Sequence, residues 1–171
     1  MVSVSLTAAG ITVTILLLLC SAFFSSTEIA IFSLPPEWID EQASTGDPGA
    51  VTLQELRSNP HRLLVTVLVG NNVVNIAISS ILTVLVTTVA PAGIAVVVTT
   101  IVASLIILVF GEIVPKAFGL GNAESWSLTA APAVSFLESV LSPIITVLEA
   151  VTTRMNVLLD ADSEIEKPYL D

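Results

Sequence analysis

The stretch Leu108–Gly119, LVFGEIVPKAFG, sets a carboxylate and a proline at the end of a long apolar run that holds no other charge. Pro115 has no backbone N–H, so in an α-helix the carbonyl four residues back, on Gly111, loses its donor. An unpaired carbonyl beside Glu112 is costly in hydrocarbon, and such groups persist where they line a protein-enclosed cavity or hold a polar ligand. Two other apolar blocks carry polar residues at helical spacing. Ser21, Ser25 and Glu28, four and three apart, stack on one helix face, as do Asn72, Asn75 and Ser79, three and four apart. Thr100 and Ser104 lie on the same stripe as Gly111. The inventory is therefore two hydroxyls (Ser21, Ser25), two amides (Asn72, Asn75), one freed carbonyl (Gly111) and two carboxylates (Glu28, Glu112). Each is a hard oxygen donor, a set that suits Mg²⁺, Ca²⁺ or Na⁺ rather than zinc or copper.

Each of these residues also has a plainer reading. Serine and asparagine in membrane helices often hydrogen-bond between helices, Glu28 can reach water near an interface, and Glu112 and Lys116 are spaced as an ordinary i, i+4 pair. Pro115 alone would be a harmless kink. The cation reading rests on the coincidence of depth and chemistry across three segments.

The elements that must position these groups are membrane helices. Of 171 residues, 54% are hydrophobic and 12% charged, and the mean hydropathy of +0.94 lies outside the range of soluble domains. The apolar blocks, roughly 20 to 28 residues each, are long enough to cross a bilayer core as helices. One cysteine, Cys20, and one histidine, His61, exclude a disulfide framework and any multi-cysteine or multi-histidine metal site. The net charge of −10 disfavours nucleic acid and anionic lipid and favours cations. No basic region precedes the first apolar block, which therefore reads as a retained span rather than a cleaved signal peptide.

The sequence predicts an all-α membrane protein with three transmembrane helices, over about Leu6–Leu34, Leu63–Ala90 and Ile94–Val114, the third broken near Pro115. Pro35-Pro36 stops the first. Pro36–Asn59 reads as a juxtamembrane segment in which Asp47 caps a short amphipathic helix with Pro48 at its first position. Asn122–Leu159 reads as a belt of interfacial helices divided by Pro132 and Pro143. A fourth span over about Ala131–Val151 is allowed by hydropathy, but two internal glutamates and a proline argue against it. It would also put Arg154 and Lys167 outside. Asp160–Asp171 reads as an acidic linker. Arg57 and Arg62 in the first connection, with Lys116, Arg154 and Lys167 after the third span, place the N-terminus outside and the C-terminus in the cytoplasm. At about 1.5 Å per residue from Arg62, Asn71 lies roughly 13 Å into the membrane, a depth that Ser25 shares when counted back from Leu34. A Ser25/Lys116 dyad is the one enzymatic arrangement that suggests itself, but nothing brings the two together and no nucleophile elbow, phosphate loop or metalloprotease motif is present. The chain reads as a non-enzyme.

Three motifs carry a resemblance. Ser25-Ser26-Thr27-Glu28 followed by Ile29-Ala30 and Phe32-Ser33, then Asn59-Pro60 leading into Gly70-Asn71-Asn72 and Asn75, then Gly111-Glu112-Ile113 with Pro115-Lys116, resemble the signatures of the transmembrane module of the CorB/CorC and cyclin M (CNNM) proteins, in the same order. The resemblance covers most of residues 10 to 150. It implies a homodimer in the cytoplasmic membrane that transports Mg²⁺, outward and coupled to Na⁺ entry. It implies Mg²⁺ ligands at Ser21, Ser25, Asn72, Asn75 and the Gly111 carbonyl, with Glu112 as charge, Pro115 as the kink, and Glu28 and Lys116 in support. It further implies a following cytoplasmic CBS-pair domain that binds nucleotide with Mg²⁺. Two other functions fit the same residues: a Mg²⁺-sensing regulatory membrane dimer without transport of its own, separated by flux in liposomes, and a structural anchor, separated by tolerance of Asn72→Leu.

Overall fold

A computed structural model describes residues 2–159, and every element in it is helical. The acidic segment 160–171, with Lys167, lies outside the described residues. In chain order the elements are α1 (Val2–Ser33), α2 (Pro36–Ser44), α3 (Pro48–Arg57), α4 (Pro60–Thr87), α5 (Ala92–Ile106), a π-helical segment (Ile107–Ile113), α6 (Val114–Gly121) and α7 (Ala123–Leu159). Proline opens α2, α3 and α4, at the position where its missing N–H is not needed. Asp47 caps α3, its Oδ1 accepting the Ala50 N–H at 2.9 Å.

Among the described residues, four stretches are long and apolar enough to cross a membrane: Ser5–Ser33, Pro60–Thr87, Gly93–Gly121 and Ala123–Val151. Their outward apolar side chains are exposed, as Leu19, Ile76, Ile101 and Phe136 are, which in water would be untenable and in lipid is ordinary. The protein is a multi-pass membrane protein, with four candidate spans rather than the three predicted.

The extra candidate is α7. Pro132 and Pro143 lie inside this continuous helix and do not divide it, and its glutamates are not stranded. Arg62, at the start of α4, donates from Nε to Glu138 at 2.8 Å, from Nη1 to Glu149 at 3.4 Å and from Nη2 to Ser142 at 2.7 Å. That one guanidinium neutralises half of the charge that argued against a span. Glu124 falls in the first turn of α7, where the helix dipole favours it.

The third predicted span differs too. The helix is not broken at Pro115: it widens to π register over Ile107–Ile113, then continues through Pro115 as α6. The Val114 N–H bonds five residues back, to Val109. Counted five back from Pro115, the carbonyl denied a donor is that of Phe110; counted four back, it is that of Gly111.

The chain folds as two compact units. One holds the residues up to Ser26 together with Gly70–Gly121. Its core is Ile78, Ala103 and Ile107, with Leu17, Leu18, Val74 and Leu82 packed against them. Gly70 lets α4 approach α1, since a Cβ there would lie 2.5 Å from Phe24 Cε1. The other unit holds Thr27–Val69 together with residues 122–159. In it α3 packs against both α2 and α7, burying Ile39, Ala50, Leu53, Leu56, Ala130 and Val134. Pro132 denies the Leu128 carbonyl its helical donor, and α3 closes on that oxygen at Gly49, where a Cβ would lie only 2.5 Å from it.

Candidate cation site

Within the first unit, α1, α4 and the π-helical segment bring their polar groups together. Ser21 is fully buried. Its Oγ lies 2.7 Å from Asn75 Oδ1 and 3.1 Å from Asn71 Oδ1. A hydroxyl has one hydrogen, and the shorter contact takes it. The longer one is a hydrogen bond when Asn71 presents Nδ2 rather than Oδ1. On its other side, Asn75 donates from Nδ2 toward Glu112 Oε1 at 3.5 Å. The result is a relay from α1 through α4 to the π-helical segment, with one formal charge, on half-buried Glu112.

Gly111 completes the approach. It is buried, and a Cβ on it would sit 2.7 Å from Ser21 Oγ. Backbone and hydroxyl meet there because no side chain intervenes. The wider π turn is what presents Gly111 and Glu112 together on the side facing α1 and α4; π segments of this kind recur where a helix must expose backbone groups for a function.

Ser25, one turn after Ser21 on α1, is fully buried, and its Oγ has no hydrogen-bond partner among the described residues. Ser26 and Thr66, also buried, satisfy themselves on the carbonyl of the preceding turn, whereas Thr27, Thr99 and Ser127 share the unsatisfied state of Ser25 but lie outside the polar cluster. An unsatisfied one is costly, about 1–3 kcal/mol.

Of the residues singled out from sequence, Ser21, Asn75, Gly111 and Glu112 meet in one cluster, and Ser25 lies one turn along the same helix. Asn72 is exposed, and the amide beside Ser21 is that of Asn71. Sequence spacing could not separate the two, since i, i+3 and i, i+4 from Asn75 both share a face. Ser79 spends its hydroxyl on the Asn75 carbonyl of its own helix. Pro115 is buried, and Lys116 is half-buried. Glu28 is half-buried and belongs to the second unit. Among the described residues, no group of three or more histidine, cysteine or acidic side chains is placed to hold a metal. The donors available in the cluster are hydroxyl, amide, carbonyl and a single carboxylate, which is the chemistry of a hard cation held moderately.

Comparison with known proteins agrees with this architecture. Residues 12–171 match the family described as the cyclin M transmembrane N-terminal domain. The chain is 33% identical over 137 residues to UPF0053 protein sll1254 of Synechocystis, covering 80% of this chain and 39% of that protein. It is 28% identical over 146 residues to the UPF0053 inner membrane protein YfjD of Escherichia coli, covering 85% of this chain and 34% of that one. A UPF0053 protein of Haemophilus influenzae is 29% identical over 163 residues, covering 93% of this chain and 38% of its own length. The chain thus spans under two-fifths of each of these relatives. With a family match across nearly its whole length, the chain belongs to the cyclin M transmembrane-domain family.

Proposed function

We propose that the chain is the membrane module of a magnesium transporter that exports Mg²⁺ across the cell membrane, coupled to Na⁺ entry, and that works as a homodimer without enzymatic activity. The N-terminus lies outside and the C-terminus in the cytoplasm, as the arginines of the first connection favour. Mg²⁺ is cargo, met by oxygens from Ser21, Ser25, Asn75 and the Gly111 backbone, with Glu112 supplying charge. Asn72 and Asn71 compete for the remaining amide role. Mostly neutral donors beside a single carboxylate suit turnover, because a cage of several carboxylates would hold the ion too tightly to release it.

The observation that carries this reading is the Ser21–Asn75–Glu112 relay, which joins oxygens from three helices one turn from the buried Ser25 hydroxyl, itself without a partner among the described residues. A group left unsatisfied in the ion-free protein and satisfied by the ion is a ligand rather than a packing contact. Ser25→Ala separates the two. In Mg²⁺-free detergent solution it should leave stability unchanged or raise it by up to about 1–3 kcal/mol, because it removes an unsatisfied polar group. It should also abolish the Mg²⁺-dependent rise in melting temperature, which for the native chain corresponds to about 2.7 kcal/mol at a hundredfold excess over Kd. An undiminished Mg²⁺ shift in Ser25→Ala would remove Ser25 from the site. Transport itself is tested by Mg²⁺ flux in liposomes with and without a Na⁺ gradient; no flux in either condition would leave a sensing role in its place.

A further inference from the structure

Arg57 closes α3, three residues before α4 enters its candidate span at Pro60, and its guanidinium carbon lies 5.2 Å from the centroid of the Phe32 ring. Phe32 sits in the last turn of the Ser5–Ser33 span. Two separate parts of the chain, the end of one candidate span and the approach to the next, therefore place this contact at a membrane–water boundary, within the second unit alone. Aromatic and basic side chains gather at that level.

The ion pairs seen on the neighbouring arginine belong to Arg62, which takes both Glu138 and Glu149. Among the described residues no acidic side chain pairs with Arg57. It is half-buried, and burial alone lowers its pKa from the ordinary arginine value. A partly desolvated guanidinium resting on an aromatic face, with no side-chain acceptor among the described residues for its planar row of N–H donors, is the arrangement that receives phosphate. The surroundings narrow the choice. The segment Pro36–Arg57 holds five acids, Glu37, Asp40, Glu41, Asp47 and Glu55, all exposed, against Arg57 as its one base. Such a surface repels a headgroup with net negative charge and attracts one that brings an ammonium with its phosphate.

We infer that Arg57, seated on Phe32, is a headgroup site for a zwitterionic amino-phospholipid, the phosphodiester on the guanidinium and the ammonium toward the carboxylates of α2 and α3. The partner is lipid of the phosphatidylethanolamine kind, and the contact fixes the level at which the α2–α3 layer meets the bilayer.

The test is native mass spectrometry of the full chain released from detergent after incubation with equal amounts of phosphatidylethanolamine and phosphatidylglycerol. The native protein should retain phosphatidylethanolamine in preference. Arg57→Gln should reduce that adduct about tenfold, the loss of one charge-assisted contact, Arg57→Lys should keep part of it, and Arg154→Gln, at an exposed site on α7, should keep all of it. The melting temperature of lipid-free Arg57→Gln should fall by no more than that of lipid-free Phe32→Leu, because the contact with the Phe32 ring is lost but no ion pair is; this excludes misfolding as the cause. Phe32→Leu, which keeps the guanidinium but removes its seat, should weaken the adduct less than Arg57→Gln. Equal adducts in native and Arg57→Gln protein would overturn the site. A preference for phosphatidylglycerol would overturn the role of the acidic layer, and displacement of the lipid by excess inorganic phosphate would show a free-anion site instead.

Discussion

Gly111→Ala is the sharpest probe of the cluster in the first unit. The new Cβ would lie 2.7 Å from Ser21 Oγ, 3.4 Å from Ser21 Cβ and 3.6 Å from Ile107 Cγ2. Only the first of these contacts is intolerable, so the strain falls on one atom. That oxygen cannot yield freely: it is bonded to Asn75 at 2.7 Å in a fully buried position. Retreat to ordinary contact takes it out of hydrogen-bond range of Asn75 or forces the turn apart. Losing the bond costs about 1 kcal/mol, stranding a buried polar partner raises this toward 1–3, and the better helix propensity of alanine returns about 0.5–1. The net expectation is about 1–2 kcal/mol of destabilisation. Ser21→Ala deletes the offending oxygen and costs about 1 kcal/mol itself. In that background the two remaining contacts are ordinary, and Gly111→Ala becomes neutral or slightly stabilising. The double-mutant cycle, read from reversible unfolding in mixed detergent micelles, should therefore show a favourable coupling of about 1–3 kcal/mol. If Gly111→Ala costs the same with and without the Ser21 hydroxyl, the close approach of the π-helical segment to α1 is wrong.

Three further outcomes test the second unit. Arg62→Met leaves Glu138 and Glu149 without their shared cation; with side chains that are 22% and 26% exposed, the cost is about 1–3 kcal/mol, below that of a fully buried pair, and adding Glu138→Gln should recover part of it in the same unfolding measurement. Gly49→Ala drives a Cβ onto the Leu128 carbonyl, a backbone atom that cannot rotate away, and should lower stability by about 1–3 kcal/mol; a silent Gly49→Ala would refute the α3–α7 contact. Asp47→Ala should cost about 0.5–2 kcal/mol and speed amide exchange in the first turn of α3, with Asp47→Asn largely restoring protection.

Local chemistry was legible in the sequence wherever it was decided by neighbours. Asp47-Pro48 announces the capped start of α3, and Pro35-Pro36 marks the interruption after Ser33 where α1 ends. What the sequence hid was decided at long range or by register. The glutamates of α7 look prohibitive in a span until Arg62, 76 positions earlier than Glu138, is seen to hold them. Prolines 132 and 143 look like dividers until the helix is seen to run through both; at Pro132, α3 closes on the carbonyl that it frees. Pro115 flagged an irregular backbone near Gly111, but counting in steps of four cannot reveal a turn that steps by five. Asn71 and Asn72 are equivalent by spacing, and only the placement of Ser21 tells them apart.

The π-helical segment has one more consequence, for how the third candidate span can change. Seven residues that close rings five apart hold the equivalent of one inserted residue. Each residue of an ordinary helix turns the chain by about 100°, so relaxing the segment to α register with no residue removed would swing everything upstream by about that angle against everything downstream. Either Ala103 and Ile107 would leave their packed positions, or Gly111 and Glu112 would rotate away from Ser21. Deleting one residue of the stretch would cancel that rotation, letting the segment close as an α-helix with its flanks in phase but without the wide turn beside Ser21. The register of this stretch is thus tied to which faces of the third candidate span meet α1 and α4.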